Sequence, residues 1–321
     1  MRLAFLGSPP FAVPVCSALL ASRHDVAALV VRPDKPRGRG RKVVASELAQ
    51  MGERAGVTVL QPKNTKDEAF LDQLRALELD VLMVASYGEI LRTEFLELAP
   101  QGALNVHASL LPRWRGASPI QRAILAGDRT TGVCVQRIVL ALDEGDVLLS
   151  RETPIGANET SGQLLDRLAL LGGDVAVEAL DLLESGKGEF TPQDGNLATF
   201  APKLSKEDGK LRIDQPAGDI ERVVRGMSPW PGARLTLADG RELVVLEARA
   251  VEAERAAPGT LIDLRAARVS AGQGAIELVR VKPPGKGAME GAAFLRGLRA
   301  AAGDQLIVET TTTKDECSDG T

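Results

Sequence analysis

From Leu3 to Ala85 the chain alternates short apolar runs with helical patterns, and this alternation constrains the fold more than any other feature. Apolar runs at Leu3 to Leu6, Val26 to Val31, Val57 to Leu60 and Val81 to Ala85 are separated by helical patterns from about Phe11, near Ala45 to Ala55 and near Glu68 to Ala76. Strands that are apolar throughout need cover on both faces, and intervening helices supply it. The pattern therefore predicts an α/β domain with a Rossmann-like parallel sheet and helices on both sides. In such sheets reactive groups gather at the carboxyl ends of the strands. The Gly7-Ser8-Pro9-Pro10 turn falls there but lacks GxGxxG spacing, which disfavours a dinucleotide cofactor. A long helix near Ser161 to Glu184 closes the domain.

Between Ser185 and Gly209 Gly, Pro and polar residues take over, in the manner of an interdomain linker. Beyond it come a helix near Gly218 to Arg225 and five short strand patterns, at Ala233 to Leu237, Glu242 to Leu246, Gly259 to Asp263, Arg268 to Ser270 and Ile276 to Val281. Such strands suit a small OB-like β-barrel. The expected division is a first domain over 1–189, a linker over 190–208, a second domain over 209–309 and a disordered, threonine-rich tail over 310–321.

At 321 residues and 44% apolar content, the chain has length and hydrophobicity enough for two packed domains. No apolar run approaches the ~20 residues that cross a bilayer, and the N-terminus lacks the apolar core and cleavage site of a signal peptide. Cys16, Cys134 and Cys317 are odd in number, far apart and without CxxC spacing, which argues against a disulfide framework or a zinc site. A cytoplasmic, monomeric chain without a metal or a membrane contact is expected. Net charge is −4, so nucleic acid would be attracted only by local patches.

Chemistry concentrates in Asn105-Val106-His107-Ala108-Ser109-Leu110-Leu111-Pro112-Arg113-Trp114-Arg115-Gly116. Leu104 to Ser109 reads as a short strand, in which Asn105 and His107 emerge side by side while Val106 enters the packing. An amide N–H and an imidazole N–H together can hold the oxyanion that forms when a carbonyl is attacked. The imidazole can also move a proton near neutral pH. The other histidine, His24, sits in the polar turn Ser22-Arg23-His24-Asp25 and is expected at the surface. Leu142-Asp143-Glu144-Gly145-Asp146 follows a second apolar run, Thr131 to Leu140, and offers a carboxylate to His107. Spacing alone does not choose between Asp143 and Asp146.

Arg32-Pro33-Asp34-Lys35-Pro36-Arg37-Gly38-Arg39-Gly40-Arg41-Lys42 holds six basic residues and one acid. Its Pro and Gly residues oppose a regular helix, so it is expected to be an extended arm beside the first strands' carboxyl ends. Such an arm could order on RNA phosphates, with a solvated loop as the plainer reading.

The run Asn-Val-His-x-Ser-Leu-Leu-Pro-Arg-Trp-Arg-Gly-Ala-x-Pro-Ile, followed by Gly127-Asp128 and Leu142-Asp143-x-Gly145-Asp146, resembles the formyltransferases that use 10-formyltetrahydrofolate. Its extended Pro-Arg-Trp-Arg-Gly form is similar to the branch that formylates methionyl-tRNA. The likeness continues through Phe5-Leu6-Gly7-Ser8-Pro9, Pro33-Asp34-Lys35-Pro36, Ala85-Ser86-Tyr87-Gly88, Lys203-Leu204-Ser205-Lys206-Glu207 and Phe294-Leu295-Arg296-Gly297. The resemblance implies Asn105, His107 and Asp143 as the catalytic trio, and Ser109, Leu110, Leu111 and Pro112 as folate contacts. It implies that Arg37, Arg39, Arg41 and Lys42 meet tRNA, with Arg39 in the leading role. The implied reaction moves the formyl group of 10-formyltetrahydrofolate to the α-amine of methionine on initiator tRNA, for translation initiation. Rival readings are formyl transfer to a small amine such as glycinamide ribonucleotide or an amino-sugar nucleotide, hydrolysis of the formylfolate, and an RNA-binding module without catalysis.

Overall fold

The computed structural model describes residues 1–34, 36–37, 42–43 and 45–308, the two short pairs as backbone only. Arg39, Arg41 and the tail over 310–321 lie outside the described residues. The chain forms two compact units, Met1–Ala123 with Asp128–Lys203, and Ile124–Gly127 with Leu204–Thr321.

As far as α6 the chain runs β1 (Arg2–Gly7), α1 (Ala12–Ala21), β2 (Asp25–Val31), β3 (Pro36–Arg37), β4 (Lys42–Val43), α2 (Glu47–Ala55), β5 (Thr58–Leu60), α3 (Glu68–Arg75), β6 (Val81–Ala85), α4 (Thr93–Leu96), β7 (Ala103–His107), α5 (Pro119–Ala126), β8 (Thr130–Arg137), β9 (Val147–Pro154) and α6 (Ser161–Glu184), all in the first unit except the end of α5 from Ile124. Seven strands make one sheet in the order β5-β2-β1-β6-β7-β8-β9. The first five are parallel, as the alternation predicts. Strands β8 and β9 extend the sheet antiparallel. They are joined through a turn over 138–146 and so need no crossover helix.

All five residues of β6 are buried, the signature of a central strand covered on both faces. Helix α6 starts at a capping box in which the Thr160 hydroxyl accepts from the Gln163 N–H and the Gln163 side chain returns to the Thr160 N–H. Such a cap contributes about 1 kcal/mol. The helix buries Leu164, Leu168, Gly172, Val175, Ala176 and Ala179. Val106 packs against its Gly172, so the opposite face of β7 carries Asn105 and His107.

Two expectations change. His24 is buried, 6% exposed, where a polar turn at the surface was expected. Ion pairs among Arg23, Asp181, Glu184 and the Met1 ammonium fold over it. The segment expected to begin the linker belongs to the first unit as far as Lys203. Thr191 bridges Val147, Phe200 bridges Arg115, and Ala201 is fully buried. Its polar, Pro- and Gly-bearing sequence hides backbone pairing made with distant segments.

The second unit contains α7 (Ala217–Gly226), β10 (Ala233–Thr236), β11 (Glu242–Val251), β12 (Leu261–Asp263), β13 (Arg268–Ser270), β14 (Ala275–Lys282), β15 (Met289–Glu290) and α8 (Gly291–Gly297). Its antiparallel sheet has the order β10-β11-β14-β13-β12, with β15 on β14. The segment 303–308 hydrogen-bonds to both edges: Val308 N–H to Thr236 O at 3.1 Å on one side, Leu261 N–H to Asp304 O at 2.9 Å on the other. Isolated bridges, Leu237 to Ile307 and Thr260 to Gln305, thus tie this segment to both end strands of the sheet. Leu235, Leu243, Val245, Val269, Ile276, Val281 and Leu295 fill its core. No helix among the described residues is long and apolar enough to cross a membrane.

Candidate active site

Strand β7 ends at His107 and passes into an irregular loop whose polar groups are tied down locally. Ser109 is fully buried and its hydroxyl donates to Arg113 O at 2.6 Å. Trp114 adopts the left-handed conformation, φ 62°. Its N–H donates to Thr199 Oγ1 at 2.9 Å, and its carbonyl oxygen lies 3.0 Å from His107 Nε2. A carbonyl only accepts, so Nε2 carries the proton. The indole N–H donates to Asp128 Oδ2 at 2.8 Å, and Arg113 forks onto both oxygens of the same carboxylate while stacking 4.4 Å above the indole ring.

Asp143, rather than Asp146, is the carboxylate near the histidine: its Oδ2 lies 3.8 Å from His107 Nδ1. Oδ2 accepts the Gly116 N–H at 2.8 Å, and Oδ1 accepts Gln136 Nε2 at 2.8 Å. Asp143 itself has φ 51°. The turn is held close to β8, since a Cβ on Gly145 would lie 1.8 Å from the Arg137 carbonyl oxygen. Gly116 has φ 121°, and a Cβ there would meet the Ala201 carbonyl oxygen at 2.7 Å.

Asn105 shares the His107 face and pairs across the ladder with Gln136, as His107 does with Cys134. Asn105 is half-buried. Asn105, His107 and Gln136 therefore share one face of the sheet, and Asp143 is set against it by His107 and Gln136. Leu111 N–H donates to the Cys134 sulfur beneath the loop, and burial pushes the Cys134 thiol up to about 12. Ordinary thiols titrate near ~8.5, so this one is inert.

Of the expected folate contacts, Leu110, Leu111 and Pro112 are half-buried. Leu110 lines a cavity of about 200 Å³ with Arg113, Trp114, Asp128, Arg129, Thr130 and Thr131. Arg37 and Lys42, expected to meet RNA, are backbone partners in the antiparallel β3–β4 pair. Two residues escaped the sequence reading. Gln136 could have been found as a polar residue within an otherwise apolar buried strand. Gln193 carried no signal of its own.

Among the described residues one further group of His and carboxylates has ligand-like spacing, His24, Asp181 and Glu184. Its carboxylates are already neutralised by Arg23 and the Met1 ammonium.

The chain matches the formyl transferase family over residues 1–180 and the formyl transferase C-terminal domain over residues 203–299. Both units thus carry the marks of one class, the formyl-transferring enzymes. A methionyl-tRNA formyltransferase of Jannaschia sp. (strain CCS1) is 43% identical over 306 residues, which is 95% of this chain and 100% of the relative. That of Anaeromyxobacter dehalogenans (strain 2CP-1 / ATCC BAA-258) is 46% identical over 305 residues, 93% of this chain and 97% of the relative. The chain belongs to the methionyl-tRNA formyltransferase family. Among solved structures, HypX from Aquifex aeolicus in complex with tetrahydrofolic acid shares the fold at TM-score 0.61 and 19% identity, with 96% of this chain on 51% of that one.

Proposed function

We propose that the protein transfers the formyl group of 10-formyltetrahydrofolate to the α-amine of methionine esterified to initiator tRNA. The observation that carries this reading is Asp143 beside the ring of His107, with Asn105 on the same face of β7, in a chain related over most of its length to methionyl-tRNA formyltransferases.

In the proposed reaction the neutral amine attacks the formyl carbon. The tetrahedral oxyanion is held by the Asn105 amide N–H and by His107. Because the Trp114 carbonyl engages Nε2, the Nδ1 edge of the ring is the one that faces Asp143 and the reacting atoms. At 3.8 Å Asp143 makes no direct hydrogen bond to Nδ1, which leaves that edge of the ring for the oxyanion with the carboxylate charge close by. Collapse of the intermediate breaks the bond from the formyl carbon to folate N10, which takes a proton, while the amine nitrogen loses one. The new carbon–nitrogen bond remains on methionine, and neither a serine nor a cysteine nucleophile is needed.

In this reading the Ser109-Leu110-Leu111-Pro112 loop supports the folate beside the trio. The arm bearing Arg37, Arg39, Arg41 and Lys42 meets the acceptor end of the RNA, the second unit adds RNA contacts, and the enzyme works in the cytoplasm with the translation machinery.

The test supplies purified protein with 10-formyltetrahydrofolate and methionylated initiator or elongator tRNA and follows formyl-methionine on each. Formylation favouring the initiator is expected. Folate binding with no product on either RNA would overturn the reading. Arg39→Ala should weaken tRNA binding and lower the salt slope by about one unit or less.

A further inference from the structure

We infer that Gln193 is a positioning residue for formyl transfer, bracing the turn that carries Asp143; the inference rests on the proposed function. The turn over 138–146 has little apolar anchorage, for Leu140 and Leu142 are 69% and 63% exposed. Asp143 within it sits in the left-handed region, which costs about 1 kcal/mol or more for a residue with a side chain. Something else must hold it in place.

The Gln193 amide does so from three directions. Nε2 donates to the Asp143 carbonyl at 2.8 Å and the Gly145 carbonyl at 2.7 Å, gripping the backbone on either side of Glu144. It also lies 3.3 Å from Gln136 Oε1. That contact turns the Gln136 amide so that its own N–H groups face Asp143 Oδ1. On the other side, Gln193 Oε1 accepts from Arg115 Nε at 3.1 Å. Arg115 is buried, and its Nη1 reaches Glu144 at 2.9 Å. The next residue, Gly116, supplies the N–H that holds Asp143 Oδ2. Gln193 touches neither oxygen of that carboxylate, yet it joins both segments that do.

A misplacement of about 1 Å at a reacting group costs on the order of 10²-fold in rate. Two variants separate the roles. Gln193→Glu keeps the size and the acceptor for Arg115 but loses both donors, and Gln193→Met loses donors and acceptor. Turnover is measured per site that binds tetrahydrofolate, so unfolded protein does not count. Each variant is expected to lower kcat by roughly 10–100-fold, with KM for both substrates within about threefold of wild type. Introduced into Asp143→Asn, the same substitutions should lower kcat by less than about threefold further, because the effect passes through Asp143. A full, additive loss in that background, kcat within about twofold of wild type, or a loss confined to KM would overturn the inference. Absence of formyl-methionine with the wild-type enzyme would instead overturn the proposed function.

Discussion

His107 and His24 are equally buried, each 6% exposed, and each has a carboxylate near a ring nitrogen: Asp143 at 3.8 Å from one, Asp181 at 3.3 Å from the other. The remaining neighbours separate them. Around His24 the Met1 ammonium lies 3.1 Å from Nδ1, and Arg23 pairs with Asp181 and Glu184. An ammonium only donates, so Nδ1 must accept. Burial, and then the Met1 ammonium, lower the His24 pKa from its ordinary value. Around His107 there is a carbonyl at one nitrogen and a carboxylate at the other, and that carboxylate is held by the neutral Gly116 N–H and Gln136 amide instead of by a guanidinium. Burial alone does not tell the two histidines apart. What differs is whether a guanidinium or an ammonium already pairs with the neighbouring carboxylates.

The comparison breaks most easily at the two carboxylates. Asp143→Asn should lower kcat for methionyl-tRNA formylation by roughly 10²–10³, the scale for losing one group that stabilises transition-state charge. Asp181→Asn should stay within about twofold of wild type. Equal losses would erase the distinction. A smaller effect is expected from Gly116→Ala, which places a Cβ 2.7 Å from the Ala201 carbonyl and forces the Asp143 donor to shift. Strain of about 1–3 kcal/mol and a kcat decrease on the order of tenfold should follow, read by denaturant midpoint and steady-state kinetics.

The His24 side sharpens through pH. A histidine whose folded pKa is lowered contributes stability that is fully present above its unfolded value, about 6.5, and lost as pH falls below it. Urea midpoints of the wild type should therefore drop between about pH 7.5 and 5.5 more steeply than those of His24→Gln. Parallel curves would show that His24 gains its proton without cost in the fold. The smallest effect concerns the thiols. Burial pushes Cys16 and Cys134 up to about 12, so both should resist a thiol reagent at pH 8 in the native protein and react after denaturation, as peptide mass spectrometry would report.

Elements whose cause is local were legible in the sequence. The apolar run Val81 to Ala85 is β6 residue for residue, and the long helix expected near Ser161 to Glu184 is α6. Strand β9 was not legible, because Ser150, Arg151, Glu152 and Thr153 dilute its apolar content at the sheet edge. In the site, the period of a strand sufficed to put Asn105 beside His107. The choice of Asp143 over Asp146 depends on a left-handed turn and on Gly116, far away in sequence. Gln193 reads as one more polar residue in a loop, and only its approach to segments 48, 50 and 57 positions away gives it a role. His24 shows the converse: a polar turn is buried once ion pairs assemble over it.

The most direct measurement compares kcat of His107→Gln and His24→Gln in formylation of methionylated initiator tRNA, with tetrahydrofolate binding as the control for folding. A loss of roughly 10²–10³ confined to His107→Gln is expected. Near-normal turnover by His107→Gln, or an equal loss in both variants, would contradict the role assigned to the Asn105, His107 and Asp143 site.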